Sequence, residues 1–249
     1  MLSYNNDPEF KERAIKSAEH HAKADMLIKG QYGHVNGSFK GCSVGCDAYD
    51  IFMEQGKDKD YINDNIKSPH EITSKYFGVP EWLERCRDTF FENLEDNTGW
   101  HVRFKQAIPA GVSEERFNIV KSKFLLFILD ENIERVNQLD ISDDLKKKVV
   151  DAIKQCQGLH QTVVNGGEWN ESAAWSARSA AESAAWSARS AAWSARSAAW
   201  SARSAAWSAE SAVRSAWSAR SAAWSAESAA WSAAFQQYAD KLLELLEDA

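Results

Sequence analysis

The C-terminal third of the chain repeats the seven-residue unit Ser-Ala-Ala-Trp-Ser-Ala-Arg from Ser172 onward. A period of seven predicts a helix with one face that meets other helices. With Ser at position a, the indoles occupy d, Arg or Glu mostly occupies g, and Ala fills b, c and f. Ala favours helix, and no Gly or Pro follows Gly167. The sequence therefore predicts a long helix of about 80 residues, roughly 120 Å if straight.

Two slips interrupt the heptads, and the same frame continues after each. Glu182 takes a d position, and Trp207 is followed by Trp217 ten residues later. Insertions of this kind change local winding and leave a helix intact. From about residue 235 the repeat gives way to an ordinary Leu-rich a/d end. The predicted oligomer interface comprises the indoles and this end: Trp175, Trp186, Trp193, Trp200, Trp207, Trp217, Trp224, Trp231, Phe235, Tyr238, Leu242 and Leu245.

Burial of several indoles would drive this association, since a covered aromatic side chain removes roughly 150 to 250 Å² from water. We therefore predict a coiled coil or bundle of copies of this chain, without predicting copy number or orientation. Three alternatives remain open: a Trp/Arg stripe on a membrane surface, stacking of single-stranded nucleic acid on the indoles, and an intramolecular bundle broken at the slips.

Composition excludes some function classes. The formal net charge of −7 gives no basic excess, which disfavours nucleic acid as a specific partner. The apolar run Phe124–Leu129 is far shorter than the roughly 20 residues that span a bilayer, and the first residues do not resemble a secretion signal. Four cysteines in such a chain favour free thiols in a reducing compartment. We expect a soluble protein of a bacterial cytoplasm, with a membrane partner disfavoured.

The pattern of residues 1–165 predicts an all-α globular head, and residues 166–249 are predicted to form the heptad segment. Helix starts are predicted at Asp7-Pro8 (a helix closed by Gly30), Ser68-Pro69, Pro80, Ser113 and Ser142. Four-residue spacing of apolar side chains predicts three helix faces: Trp82, Cys86, Phe90 and Leu94; Trp100, Phe104 and Ile108; Leu145, Val149 and Ile153. The stretch Phe124–Leu129, apolar on every side, is predicted to be the central helix.

Five of the twelve glycines lie between Gly30 and Gly45, a stretch that ends in Gly-Cys-Ser-Val-Gly-Cys. Such a loop allows close approach of backbone, and a helix is predicted to begin near Ser43, beside Cys42 and Cys46. A helix N-terminus favours thiolates and anions. The structural interpretation is a tight turn with two buried thiols.

His21 and Asp25 are four residues apart on the first predicted helix. A wheel centred on Phe10, Ala14 and Ala18 places both inside the apolar arc and His20 outside it. The simpler interpretation is a histidine hydrogen-bonded to a carboxylate in a helical core. The alternative is a site in which His21 and Asp25 face Cys42 and Cys46, for thiol chemistry or for a metal such as zinc. Cys-x3-Cys is not the usual zinc spacing, so no cofactor is predicted, and zinc remains the weaker alternative.

The head resembles a group of uncharacterised proteins of bacteria and their phages. The resemblance rests on Lys-Gly-Gln-Tyr-Gly at 29–33, Gly-Cys-Ser-Val-Gly-Cys at 41–46 and Val-Pro-Glu-Trp-Leu at 79–83, within roughly residues 4–157. It implies a bacterial or phage context, in the cell or on the virion, and no activity or catalytic residue. The sequence thus predicts a self-assembling, non-enzymatic accessory or structural protein whose head binds a protein or small-molecule target. The alternative is a small metal- or thiol-dependent hydrolase or transferase with an oligomerisation tail.

Overall fold

The structure is a computed structural model, and it describes residues 1–36, 38–174, 176, 179 and 233–249. Within these residues the fold is all-α, as predicted. The helices are α1 (Pro8–Lys23), α2 (Ser43–Glu54), α3 (Lys59–Asn65), α4 (Pro69–Phe77), α5 (Glu81–Asn93), α6 (Asn97–Ala107), α7 (Glu114–Gln138), α8 (Asp143–Val164) and α9 (233–247). The d-position indoles from Trp175 to Trp231 lie outside the described residues.

The predicted helix starts are confirmed. Asp7 accepts a hydrogen bond from the amide of Glu9 at the start of α1, and Ser142 accepts one from Leu145 at the start of α8. Pro80 precedes α5, and the Ser113 hydroxyl accepts from the Arg116 amide at the start of α7. Ser68 precedes α4 as predicted but makes no capping hydrogen bond, and Glu71 in the first turn pairs with Lys75.

The first helix is shorter than predicted, and a small hairpin follows it. Helix α1 ends at Lys23, and the chain then forms an antiparallel pair of strands, β1 (His34–Asn36) and β2 (Ser38–Lys40). The Ile28 amide donates to the Gly41 carbonyl, and the Gly41 amide donates to the Met26 carbonyl. These bonds satisfy backbone groups that a continuing helix would have paired internally.

The chain divides into two compact units, the first made of Met1–Val120 and Ser232–Ala249, the second of Lys121–Trp231. The core of the first unit contains the fully buried side chains of Leu83, Phe91, Trp100, Phe104 and Ile108. A smaller apolar cluster under the hairpin joins Phe39, Cys46, Ala48, Phe52, Ile62 and Ile66.

Helix α9 belongs to the first unit although it lies at the far end of the sequence. Its Leu242 and Leu246 are fully buried, and the rings of Phe235 and Phe90 lie 6.3 Å apart. The Arg116 guanidinium donates to the backbone carbonyls of Asp248 and Ala249, at 3.0 and 2.8 Å. The leucines of this C-terminal end are therefore covered within a single chain.

In the second unit, α8 runs antiparallel to the part of α7 that follows Val120. The Gln157 amide donates to Asp130 at 2.6 Å, and Lys146 donates to the Asn137 carbonyl. Residues 125–129 of α7 are only half-buried, so the prediction of a central helix enclosed on every side is wrong. An apolar residue on a two-helix packing surface is covered from one side only. The domain boundary predicted near residue 165 falls just after α8, inside this second unit.

Candidate functional site

The predicted placement of Asp25 beside His21 inside the apolar arc is wrong. His21 is fully buried on α1, whereas Asp25 follows the end of that helix with a φ of 54°. Its side chain is 89% exposed and pairs with Lys40 at 2.8 Å. The helical wheel assumed that α1 continues to Gly30, and it places Asp25 on the wrong side because the helix ends at Lys23.

His21 instead joins Asp50 and His101. Its Nε2 donates to Asp50 Oδ2 at 2.9 Å, and the Ser17 hydroxyl donates to the same carboxylate oxygen. Its other nitrogen, Nδ1, lies 3.4 Å from His101 Nε2, with the two rings stacked at a centroid distance of 5.7 Å. His101 is fully buried on α6, and its Nδ1 has no hydrogen-bond partner.

Beside the histidines lies a buried ion cluster of Asp47, Glu84, Arg87 and Lys105. Arg87 bridges both carboxylates, pairing with Asp47 and, at 2.5 Å, with Glu84. Lys105 Nζ lies 2.6 Å from Asp47 Oδ2, and the Thr73 hydroxyl donates to Glu84 at 2.8 Å. Two cations and two anions balance, which is the condition for burying such groups.

The cluster changes the proton affinities of its members. Burial raises the pKa of Asp47, but the charges of Lys105 and Arg87 outweigh burial, and the net pKa is well below the usual range. Burial, aided by the charge of Arg87, lowers the pKa of Lys105 to about 8. Burial also lowers the pKa of His101 well below its ordinary value, so this imidazole is neutral at pH 7.

Cys42 and Cys46 do not face the His21 site as one constellation. Cys46 is fully buried in the apolar cluster under the hairpin, and its thiol contacts the carbonyls of Gly41 and Met26. Cys42 precedes α2 and is also buried. Burial raises the pKa of both thiols far above the ordinary value. The negative charge of Asp88 raises the pKa of Cys42 further, and that of Asp47 raises the pKa of Cys46 further. The helix N-terminus does not reverse this effect, so both groups are protonated thiols at neutral pH.

Cys42 does lie in a second polar cluster, with Asp88 and Glu92 of α5. Donor atoms of these three side chains all lie within 4.8 Å of one another, and His70 Nε2 lies 3.1 Å from Asp88 Oδ2. Burial tends to raise the pKa of Asp88, but hydrogen bonds from His70 and Cys42 give a net lowering. Burial raises the pKa of Glu92, whose carboxylate accepts from the Gly30 amide.

The glycine-rich stretch serves close packing of the chain on itself. A Cβ on Gly41 would lie 2.2 Å from the Tyr32 carbonyl oxygen, and one on Gly45 only 1.5 Å from the same atom. The predicted close approach of backbone therefore exists, and the approaching group is Tyr32. This supports the structural interpretation of the two buried thiols.

A pocket of about 50 Å³ opens next to the His21 site. Its lining includes the cation Arg13, the carboxylates of Asp47, Asp50 and Glu54, and the rings of Phe10 and Phe77. Asp47 and Asp50 thus connect the buried histidines with a cavity.

Sequence reasoning missed Asp47, Asp50, Arg87, Lys105 and His101. A signal existed on α5, where Arg87 falls between the apolar positions Leu83 and Phe91 at four-residue spacing. The predicted face of Trp82, Cys86, Phe90 and Leu94 leaves out Glu84 and Arg87. Both are buried, while Trp82 and Cys86 are half-buried. The face of Trp100, Phe104 and Ile108 on α6 is confirmed.

Comparison of the chain with protein-family models, curated proteins and solved structures finds no match. Among the described residues, no helix is long and apolar enough to cross a membrane.

Proposed function

We propose that this protein is a self-assembling, non-enzymatic accessory or structural protein of a bacterium or phage. The C-terminal Trp-rich segment brings copies of the chain together, and each copy contributes a helical head that binds a target. Many weak head contacts then act at a high effective concentration.

One observation carries the proposal. In α9 the heptad frame places Phe235, Tyr238, Leu242 and Leu245 at a and d, and Leu242 and Leu245 are buried. The buried face of α9 thus includes a/d positions, together with the e positions Ala239 and Leu246, while Phe235 and Tyr238 are half-buried. The same frame assigns eight indoles to position d upstream. Helices of other copies can bury such a face. Because the first unit already buries the leucines of the C-terminal end, we assign the contacts between copies to the indoles.

The chemistry of the head favours the non-enzymatic function over a thiol enzyme. A nucleophilic cysteine requires a lowered pKa or an adjacent base, whereas burial raises the pKa of Cys42 and Cys46. Asp25, the proposed orienting carboxylate, pairs with Lys40 at the surface. The metal-dependent alternative would need a ligand set other than Cys42, Cys46 and His21.

The test compares the solution mass of three full-length proteins by light scattering after size exclusion. The first is the native chain. The second carries Trp193→Ala, Trp200→Ala and Trp207→Ala, which remove three d-position indoles and keep strong helix formers. The third, a matched control, carries Ala195→Ser, Ala202→Ser and Ala209→Ser at the f positions of the same heptads.

We expect a multimeric native chain, a multimeric control and a triple Trp variant of markedly lower mass. The near-ultraviolet circular dichroism of Trp100 and the head tyrosines should survive in all three. A native chain that is monomeric at all accessible concentrations, or equal masses for the native chain and the triple Trp variant, would overturn the proposal.

A further inference from the structure

The strongest unexplained feature of the head is the pair of buried imidazoles on α1 and α6. Two fully buried histidines face each other, with His21 Nδ1 3.4 Å from His101 Nε2. The two imidazoles and the Asp47 carboxylate offer three ligand atoms that all lie within 4.8 Å of one another.

We propose that His21, His101 and Asp47 bind a divalent transition-metal ion, and that Asp50 orients His21 from the second shell. This metal site is independent of the self-assembly proposed above and could exist whether or not the tail multimerises the chain.

The separation of the facing nitrogens supports metal ligation. A 3.4 Å distance is long for a hydrogen bond between two imidazoles. Two nitrogens bound at about 2.0–2.1 Å to one tetrahedral ion lie roughly 3.3 Å apart, close to the observed spacing. The nitrogens thus have the spacing of a shared ion, although each ring must turn to aim its lone pair at that ion, because the two nitrogens point straight at each other.

The outer contact of His21 has the arrangement that a metal-binding histidine usually shows. A ligating histidine donates its second N–H to a carboxylate or carbonyl, which fixes the tautomer and ring orientation. His21 Nε2 makes this contact to Asp50 at 2.9 Å, so Nδ1 keeps a lone pair toward His101. The Ser17 hydroxyl holds Asp50 in place from the next turn of α1.

The ligand types select the class of ion. Two imidazoles with one carboxylate suit Zn²⁺, Fe²⁺ or Co²⁺ better than Mg²⁺ or Ca²⁺, which prefer all-oxygen sites. All ion pairs of Asp47 with Arg87 and Lys105 use Oδ2. Counting Asp47, Glu84 and Asp50 against Arg87 and Lys105, the surroundings carry one net negative charge when the imidazoles are neutral, which favours a cation.

A pocket borders the two aspartates next to the histidines. The pocket beside the site is lined by Ser17, Asp47 and Asp50, so the carboxylates that contact the histidines also line a cavity. Three protein ligands leave further coordination positions for water or another small ligand.

Co²⁺ is the probe of choice, because it substitutes for Zn²⁺ and absorbs visible light. The full chain, prepared without a histidine tag and stripped with a chelator, is titrated with Co²⁺ and then with Zn²⁺ as competitor. We expect one Co²⁺ per chain with visible d–d bands, displaced by Zn²⁺. His21→Gln and His101→Gln should each lower the affinity at least 100-fold, and Asp50→Asn should lower it about 10- to 100-fold.

His20→Gln is the matched control, since His20 precedes His21 on α1 and is exposed. It should bind Co²⁺ like the native chain. A thiolate-to-cobalt charge-transfer band would place the ion at Cys42, Asp88 and Glu92 and overturn the proposal. No uptake by the native chain, or equal uptake by the His101→Gln variant, would also overturn it.

The glutamine variants can lose their fold, so one measurement uses the native chain alone. Pulsed electron paramagnetic resonance of the Cu²⁺-loaded protein counts the coordinated imidazoles. Two imidazoles support the site, and none or one contradicts it.

Discussion

Asp47 Oδ2 and Lys105 Nζ lie 2.6 Å apart in the interior of the first unit, with each side chain at most 2% exposed. Arg87 contacts the same carboxylate oxygen and continues to Glu84. The four charges come from α2, α5 and α6, so one carboxylate ties three helices together. Pairing balances the charge, and it makes each member costly to remove.

Replacement of Arg87 should therefore lower the free energy of unfolding strongly. Arg87→Met leaves Asp47 and Glu84 buried without their shared cation, and breaking a buried pair in this way costs about 3–5 kcal/mol. The midpoint of urea unfolding, followed by circular dichroism, measures the loss. Arg85→Met is the matched control two residues away, because Arg85 pairs with Glu81 at the surface and should change stability by no more than about 0.5 kcal/mol. Equal effects of the two substitutions would contradict the structural role of the buried cluster.

The two glycines Gly45 and Gly158 are both helical, and they should respond in opposite ways to alanine. Gly45→Ala places a methyl group 1.5 Å from the Tyr32 carbonyl and must displace that backbone, so the melting temperature should fall by several degrees. Gly158→Ala meets no atom within 4 Å and should stabilise α8 by up to about 1 kcal/mol. Thermal unfolding of both variants checks this. If Gly45→Ala leaves the melting temperature unchanged, the backbone of Tyr32 does not approach α2 so closely.

Thiol reactivity should divide the four cysteines into two pairs. Cys42 and Cys46 are buried and burial raises their pKa, whereas Cys86 and Cys156 are half-buried. Brief alkylation at pH 8, read by peptide mass spectrometry, should label the second pair well before the first. In denaturant all four should react alike. Rapid labelling of Cys42 in the native chain would show an activated thiol and revive the enzymatic alternative.

Acid should weaken the contribution of Asp88 to the stability of the fold. Its pKa is lowered in the folded chain because hydrogen bonds from His70 and Cys42 outweigh burial. A lowered carboxyl pKa contributes stability above the unfolded value of about 4, and this contribution disappears as the pH falls through the folded pKa. The stability difference between the native chain and Asp88→Asn should thus be full at pH 6 and shrink steadily below pH 4. A difference that does not change between pH 6 and pH 2 would contradict this.

The buried leucines of α9 should hold this helix against the rest of the first unit. Leu242→Ala and Leu246→Ala remove fully buried side chains, and such substitutions cost about 2–5 kcal/mol each. Hydrogen exchange should accelerate in α9 and near Arg116, whose side chain contacts the last two carbonyls. Gln237→Ala, on the exposed side of the helix, is the control and should leave exchange unchanged.

The sequence predicts local features of this fold well because their causes are local. Ser142, Pro80 and Asp7 begin helices through their own backbone and side-chain chemistry, and the spacing of Trp100, Phe104 and Ile108 is enough to identify a buried face. His21 is likewise recognisable as a polar residue inside an apolar arc.

The candidate site was less predictable because it depends on distant contacts. Asp50 and His101 meet His21 across 29 and 80 residues of sequence, and no local rule links them. A charged residue such as Arg87 resembles a surface residue until its partner Asp47 on another helix is known. Asp25 illustrates the opposite error, since one misplaced helix end moved a surface carboxylate into the predicted core.

Helix α9 has a consequence for biosynthesis. The first unit needs residues 233–247, and a ribosome adds them only after it has made the whole of Lys121–Trp231. The surface that receives Leu242 and Leu246 must wait uncovered during that interval, when a chaperone or a neighbouring nascent chain could occupy it. Gain or loss of whole heptads would lengthen or shorten this delay. The number of heptads should therefore affect the yield of correctly folded heads.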